Sequence, residues 1–170
     1  MSPFRLALLA TLAVALAGPA AAAPPPLTAE GWGKLRIGMR ERDAVRLFRL
    51  RVPPTAGVDS FECRQDQVPG YPGVFVMAEN GVITRISVDG PGRLRTDRGF
   101  GVGSREADIR RAYGTALEVA TAAYLEEPAH DLTFWTHGGR RGVKYGTNAD
   151  GRVDWLTVGS RSITYIEGCA

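Results

Sequence analysis

The sequence predicts an α+β protein of two tandem units, each a short helix packed on an antiparallel β-meander. Three observations carry this. A helix-like segment occurs twice at an offset of 65 residues. Short apolar runs separated by turn signals follow each copy. And 21 Gly with 11 Pro in 170 residues favour many turns and short strands over long helices. With 44% hydrophobic and 23% charged residues the chain has the balance of a folded protein rather than a disordered one.

Residues 1–22 read as a signal peptide. Arg5 forms the n-region, Leu6 to Leu16 the apolar run, and Gly18-Pro19 break it ahead of Ala20, Ala21 and Ala22. The apolar run is about half of the ~20 residues that span a bilayer, so no stable membrane insertion is expected after cleavage. No cysteine follows the run to accept a lipid. Residues 23–32, with Pro24, Pro25 and Pro26, are expected to be an extended Pro-rich leader.

The first unit is placed at 33–96 and the second at 97–170. Ile37-Gly38-Met39-Arg40-Glu41-Arg42-Asp43-Ala44-Val45-Arg46-Leu47-Phe48 aligns with Val102-Gly103-Ser104-Arg105-Glu106-Ala107-Asp108-Ile109-Arg110-Arg111-Ala112-Tyr113. Each copy predicts a glycine turn followed by a helix of about three turns. Ala44, Leu47 and Phe48 would form one apolar face, Ile109, Ala112 and Tyr113 the other. Asp43 and Asp108 suit the first-turn dipole, and Gly114 is a natural C-cap. Strands are expected at Phe61–Arg64, Val74–Met77 and Val82–Val88, the last two joined by Asn80-Gly81, a strong hairpin signal. In the second unit they are expected near Leu117–Tyr124, Leu132–Trp135, Gly142–Tyr145 and Val153–Val158, with Asp150-Gly151 as a turn. Ile163–Ile166 is expected to be a closing strand.

The pattern of an apolar residue, Gly, Met or Ser, then an acid at the helix start and a strand meander resembles the small envelope domains of the BamE (SmpA/OmlA) type and the tandem β-lactamase-inhibitor-like proteins. By position, Gly38 and Gly103 match the family's turn glycine, Asp43 and Asp108 its first-turn acid. Those families commonly place Ser or Thr at the helix cap, where this chain has Arg40 and Arg105. The resemblance implies a binding scaffold and no catalysis.

Cys63 and Cys169 are the two cysteines, and in an oxidising compartment they are expected to form a disulfide. Neither has a CxxC context or a neighbouring histidine that would make it a reactive thiol. Gly99-Phe100-Gly101-Val102-Gly103-Ser104 lacks both the phosphate-loop Lys and the dinucleotide-binding spacing, so its glycines read as structural. His130 and His137 flank one strand and lie in no catalytic or metal-ligand motif; Glu126, Glu127 and Asp131 are the only acids close by in sequence. Glu106 and Arg110 read as an i,i+4 helix pair. No cofactor and no metal are expected, and the chain is not expected to be an enzyme, although a hydrolase with a dispersed site stays open as an alternative.

Charge is unevenly spread. Residues 34–51 hold seven basic side chains against Glu41 and Asp43, while the rest of the chain after residue 22 has more acid than base. Arg42, Arg46 and Arg49 form a helical stripe opposite the apolar face, either a solvated surface or a dock for an anionic partner. If Leu156 and Val158 face the core, Trp155 stands on the outer sheet face, at the position matching Arg85; burial under a loop or a bulge is the alternative. Phe134, Trp135 and Tyr145 read as core or inter-unit packing. The expectation is therefore a periplasmic or secreted, non-catalytic binding protein. Its partner would be an envelope or extracellular protein, met through Trp155 and Arg85, the basic stripe, or both. The alternative is an envelope component that binds anionic polymers through Arg42, Arg46 and Arg49. Nucleic acid is not expected as a partner.

Overall fold

The computed structural model describes residues 24–50 and 63–169. The signal segment, Arg51, Phe61 and Glu62 lie outside the described residues. The described residues are α+β: two short α-helices, and antiparallel sheets that hold most of the regular structure. A small sheet is made by β1 (Leu27–Thr28), β2 (Gly31–Trp32) and β3 (Leu35–Arg36). Helix α1 (Glu41–Phe48) follows, then β4 (Cys63–Gln67), β5 (Val74–Glu79) and β6 (Val82–Asp89). Helix α2 (Glu106–Tyr113) precedes β7 (Leu117–Thr121), β8 (His130–Thr136), β9 (Arg141–Thr147) and β10 (Val153–Gly159). The seven later strands form one sheet in the order β4-β5-β6-β10-β9-β8-β7, so the two meanders meet where β6 pairs with β10.

Strand alternation divides this sheet cleanly. Val74, Val76, Ile86, Val88, Leu156, Val158, Val143, Tyr145 and Leu132 point to an inner face. There they share one core with Leu27, Trp32, Leu35, Ala44 and Ile109 from the small sheet and the helices. Tyr113 and Tyr145 join hydroxyls at 2.9 Å within that core, and Tyr145 donates on to Thr96 at 3.1 Å. The outer face carries Arg85, Ser87, Asp89, Trp155, Thr157, Lys144 and Asp131.

Both helices start in the same way. Gly38 donates to Ile83 O and Ile83 to Met39 O; Gly103 donates to Val153 O and Val153 to Ser104 O. Gly38 at φ +90 and Gly103 at φ +85 occupy the left-handed region that glycine enters without strain. Arg40 and Arg105 are the N-caps and supply no side-chain cap bond. The carbonyls of the hairpin glycines substitute for one, Gly81 O accepting from Glu41 N and Gly151 O from Glu106 N, each at 2.9 Å.

Several expectations are corrected. Ile163–Ile166 is not a strand; Arg161–Thr164 form a 3-10 turn and the chain then crosses the outer face of the sheet. Each helix has eight residues, nearer two turns than three. Leu47 is 52% exposed, and Val45 packs against the core alongside Ala44 instead. Trp135 lies on the outer face, opposite Phe134, with Arg161 4.7 Å over its ring. Within the proline-rich stretch, Leu27 and Trp32 are buried in the core, so residues 27–32 belong to the fold. Among the described residues no helix is long and apolar enough to cross a membrane.

Candidate functional site

The C-terminal segment from Ser160 to Cys169 is a strap over the polar face of the sheet. Its 3-10 turn packs on β6, β9 and β10, and its end is fixed to β4 by the Cys63–Cys169 disulfide. Between these points Arg85 holds it from below. The Arg85 guanidinium donates to the carbonyls of Ser162 and Tyr165, both at 3.2 Å, and to Gln65 Oε1 at 2.9 Å. Arg85 is only 5% exposed. Burial lowers its pKa, against the opposing pull of Asp89, Glu79 and Tyr165. The strap therefore holds a fixed course over the sheet.

A cleft in two lobes opens beside the strap, with Trp155 and Ile166 lining both. The wider lobe encloses ≈310 Å³ and is lined by Gln65, Asp89, Thr157, Tyr165 and Glu167 among others. The narrower one, ≈210 Å³, is lined by Ala122, Ala123, Tyr124, Leu125, Asp131 and Lys144. Tyr124 reaches across from the β7–β8 loop and donates to Glu167 Oε1 of the strap at 2.8 Å.

The floor is polar and mostly spent on itself. Lys144 Nζ pairs with Asp131 Oδ2 at 2.7 Å, both side chains nearly buried. Lys144 also stands 5.4 Å from the Trp155 ring centroid. Asp131 Oδ1, Thr157 Oγ1 and Arg85 Nε are buried without a hydrogen-bond partner among the described residues. Burial pushes the Asp89 carboxyl up; Arg85 pulls it back and Asp154 adds to the rise. The rim is apolar: Tyr124, Leu125, Tyr165 and Ile166 account for most of the large exposed hydrophobic side chains among the described residues.

A second cluster lies at the start of α2, beside an open hollow of ≈570 Å³. Glu106 is 9% exposed and accepts from Arg110 Nε at 2.6 Å and from Thr147 Oγ1 at 3.0 Å. His130 Nδ1 is 3.0 Å from its carboxylate, and His130 Nε2 is 3.1 Å from Glu127 Oε2. Burial raises the Glu106 pKa, but the hydrogen bonds from Arg110, Thr147 and His130 outweigh it and hold the carboxyl below its usual value. The hollow is the larger concavity, yet each polar group of the cluster already has its partner. We place the candidate site at the smaller cleft, whose rim gathers most of the large exposed apolar side chains among the described residues.

A search of protein-family models found no match for the chain, and no curated protein matches it. A solved structure, that of a DUF4309 family protein (YjgB) from Bacillus subtilis, is similar over 72% of this chain and 78% of its own. The identity is 16% and the TM-score 0.45. A likeness at that score carries no argument about this chain.

Of the residues singled out by sequence, Trp155 lies at the centre of the cleft and is half-buried, lodged between the two lobes. Arg85 lies beneath the same cleft and acts on the strap. Cys63 and Cys169 form the strap's anchor. Arg42 and Arg46 are exposed on α1; Arg49, also exposed, is the left-handed C-cap at φ +52 just past its end and does not continue the expected helical stripe. All three lie away from the cleft and form no ion pair among the described residues. Sequence reasoning did not find Asp89, Thr157, Asp131, Lys144, Tyr165 or Ile166. They come from five separate segments, and only the outward alternation of β6, β8, β9 and β10 could have grouped the first four. The Glu106–Arg110 pair is present as expected, but His130 and Thr147 also converge on it.

Proposed function

We propose that this is an exported, non-catalytic binding protein, periplasmic or secreted, whose recognition site is the cleft under the C-terminal strap. The observation that carries the reading is the cleft itself: an apolar rim over a polar floor, in which three buried polar atoms have no partner among the described residues. Its rim gathers Tyr124, Leu125, Tyr165 and Ile166 around Trp155, an exposed apolar surface suited to a partner that buries it. The disulfide and the alanine-rich leading segment support export. The matching hydrogen bonds at Gly38 and Gly103 support two tandem units descended from one helix-plus-meander module. That arrangement is also what the likeness to BamE-type and β-lactamase-inhibitor-like domains would imply. Non-catalytic binding fits a floor whose Lys144 and Arg85 are occupied by Asp131 and by strap carbonyls.

The test is capture by the oxidised protein from an envelope extract of its host, with Trp155→Ala in parallel. A discrete protein retained by the parent and lost with Trp155→Ala supports the reading. Equal retention by both excludes the cleft as the site.

A second reading is favoured by the three arginines on and just after α1, exposed and without ion pairs among the described residues. On it, the protein holds an anionic envelope polymer through Arg42, Arg46 and Arg49. Retention on such a polymer would then fall with salt and vanish in the triple glutamine variant.

A further inference from the structure

Resting on the cleft reading, we propose that the ligand is an extended basic–apolar segment of a partner protein. A lysine or arginine side chain enters the wider lobe and an apolar side chain enters the narrower one. The wider lobe exposes two charged groups to a ligand, Asp89 and Glu167, and both are acidic. Asp89 forms no ion pair among the described residues, and Glu167 holds only the Tyr124 hydroxyl. The one cation that lines the lobe, Arg85, lies beneath it and offsets part of that charge by attracting Asp89. Arg85 is buried with its terminal nitrogens on Ser162, Tyr165 and Gln65, and Lys144 is committed to Asp131. The lobe therefore carries a net negative charge, two exposed carboxylates against one buried guanidinium, and it does so beside the rings of Trp155 and Tyr165. Acidic residues alone would not define a site. Thr157, 6% exposed in the floor of the same lobe, has a hydroxyl with no hydrogen-bond partner among the described residues.

The narrower lobe has the opposite character. Ala122, Ala123, Tyr124, Leu125 and Ile166 line it, and its charged groups, Lys144 and Asp131, are paired with each other. Trp155 and Ile166 form the ridge between the lobes. An extended chain places alternate side chains on one side, so residues i and i+2 can straddle that ridge, one basic and one apolar. The apolar lobe and rim distinguish such a peptide from a free polyamine, which offers charge without a side chain to bury.

The experiment is a titration of the oxidised full chain with short fluorescent peptides carrying arginine or lysine two residues from leucine or phenylalanine. Matched peptides with glutamate for the basic residue, matched peptides with serine for the apolar one, and spermidine complete the set. The basic–apolar peptides are expected to bind, and both replacements to weaken them. Asp89→Asn, a near-isosteric change at an exposed position, is expected to weaken binding about tenfold or more. Trp155→Ala is expected to abolish it. Binding of the glutamate peptides, spermidine binding as tightly as the peptides, or insensitivity to Asp89→Asn would overturn the inference. If no peptide binds but capture from extract still depends on Trp155, the peptide inference fails and the cleft reading stands. If nothing depends on Trp155, both fail.

Discussion

The indole of Trp155 lies flat on the backbone of Gly146, its cross-strand partner. A Cβ added at Gly146 would stand 2.1 Å from Trp155 Cε2 and 2.4 Å from its Nε1. The missing side chain on β9 is thus what lets the ring lie across the sheet and divide the cleft. A register shift between Val153 and Trp155 sets the ring over β9. Gly142, two rows along, repeats the device under Trp135 and Ile163.

Gly146→Val is expected to displace the ring and to cost roughly 1–3 kcal/mol through overpacking. Urea unfolding measures the cost, and peptide titration should show binding lost as in Trp155→Ala. Gly142→Ala is the control. Its Cβ would meet Phe134 O at 2.7 Å and Trp135 at 2.8 Å, so it is expected to destabilise comparably and leave binding intact. A Gly146→Val protein of parental stability and affinity would show that the ring does not depend on this seat.

Much of the fold was legible because its signals are local. Asn80-Gly81 closes β5 on β6 with both residues at positive φ, and the acid-led segments Glu41–Phe48 and Glu106–Tyr113 are helices. The strap was misread because Ile163-Thr164-Tyr165-Ile166 has a strand-like composition. Two non-local constraints decide its conformation instead, the Cys63 bond and the Arg85 guanidinium. Leu47 misled for a related reason: eight residues are too few to bury a wide stripe, and the core receives Ala44 and Val45. The cleft had no motif because it is assembled where two meanders meet. Trp155 and Asp89 become neighbours only once β10 pairs with β6.

The disulfide closes a loop of 106 residues. In the chain-entropy model a loop of that size contributes about 4–5 kcal/mol by restricting the unfolded chain. Reduction, or Cys63→Ser with Cys169→Ser, is therefore expected to lower the melting temperature clearly. Arg85 still holds the carbonyls of Ser162 and Tyr165, so loosening should concentrate after Tyr165. Hydrogen exchange on the reduced protein checks this: faster exchange at Ile166–Cys169 with Arg161–Thr164 still protected is the expected pattern. Uniform loss of protection across the sheet would contradict it.

Glu106 makes stability depend on acid. Its folded pKa lies below the ordinary 4.5 because Arg110, Thr147 and His130 hydrogen-bond the carboxylate more strongly than burial opposes it. The ionised group therefore contributes stability that is fully present above pH 4.5 and is lost as pH falls through the folded value. Glu106→Gln keeps the shape and removes the charge, at an expected cost of roughly 1–3 kcal/mol at neutral pH. Urea unfolding between pH 7 and about pH 3 should show the gap between parent and variant narrowing below 4.5. A gap constant across that range would mean that the carboxylate is not the source of the effect.

Asp89 should behave in the opposite sense, and that separates a binding residue from a structural one. Burial raises its folded pKa above the ordinary 3.8, with Asp154 adding to the rise and Arg85 opposing it. The folded state then holds the proton more tightly than the unfolded one, so ionisation costs stability as pH rises through the folded value. Asp89→Asn removes that cost. The variant is expected to be slightly more stable than the parent at neutral pH, by about 0.5 kcal/mol or less given the exposed position. The difference should close as pH falls below the folded pKa. The same substitution is expected to cost about tenfold or more in affinity for a basic–apolar peptide. Thermal melts and titrations on one preparation measure both. A gain in stability paired with a loss of binding would mark Asp89 as a residue kept for its ligand, since a group that only braced the fold would lower both together.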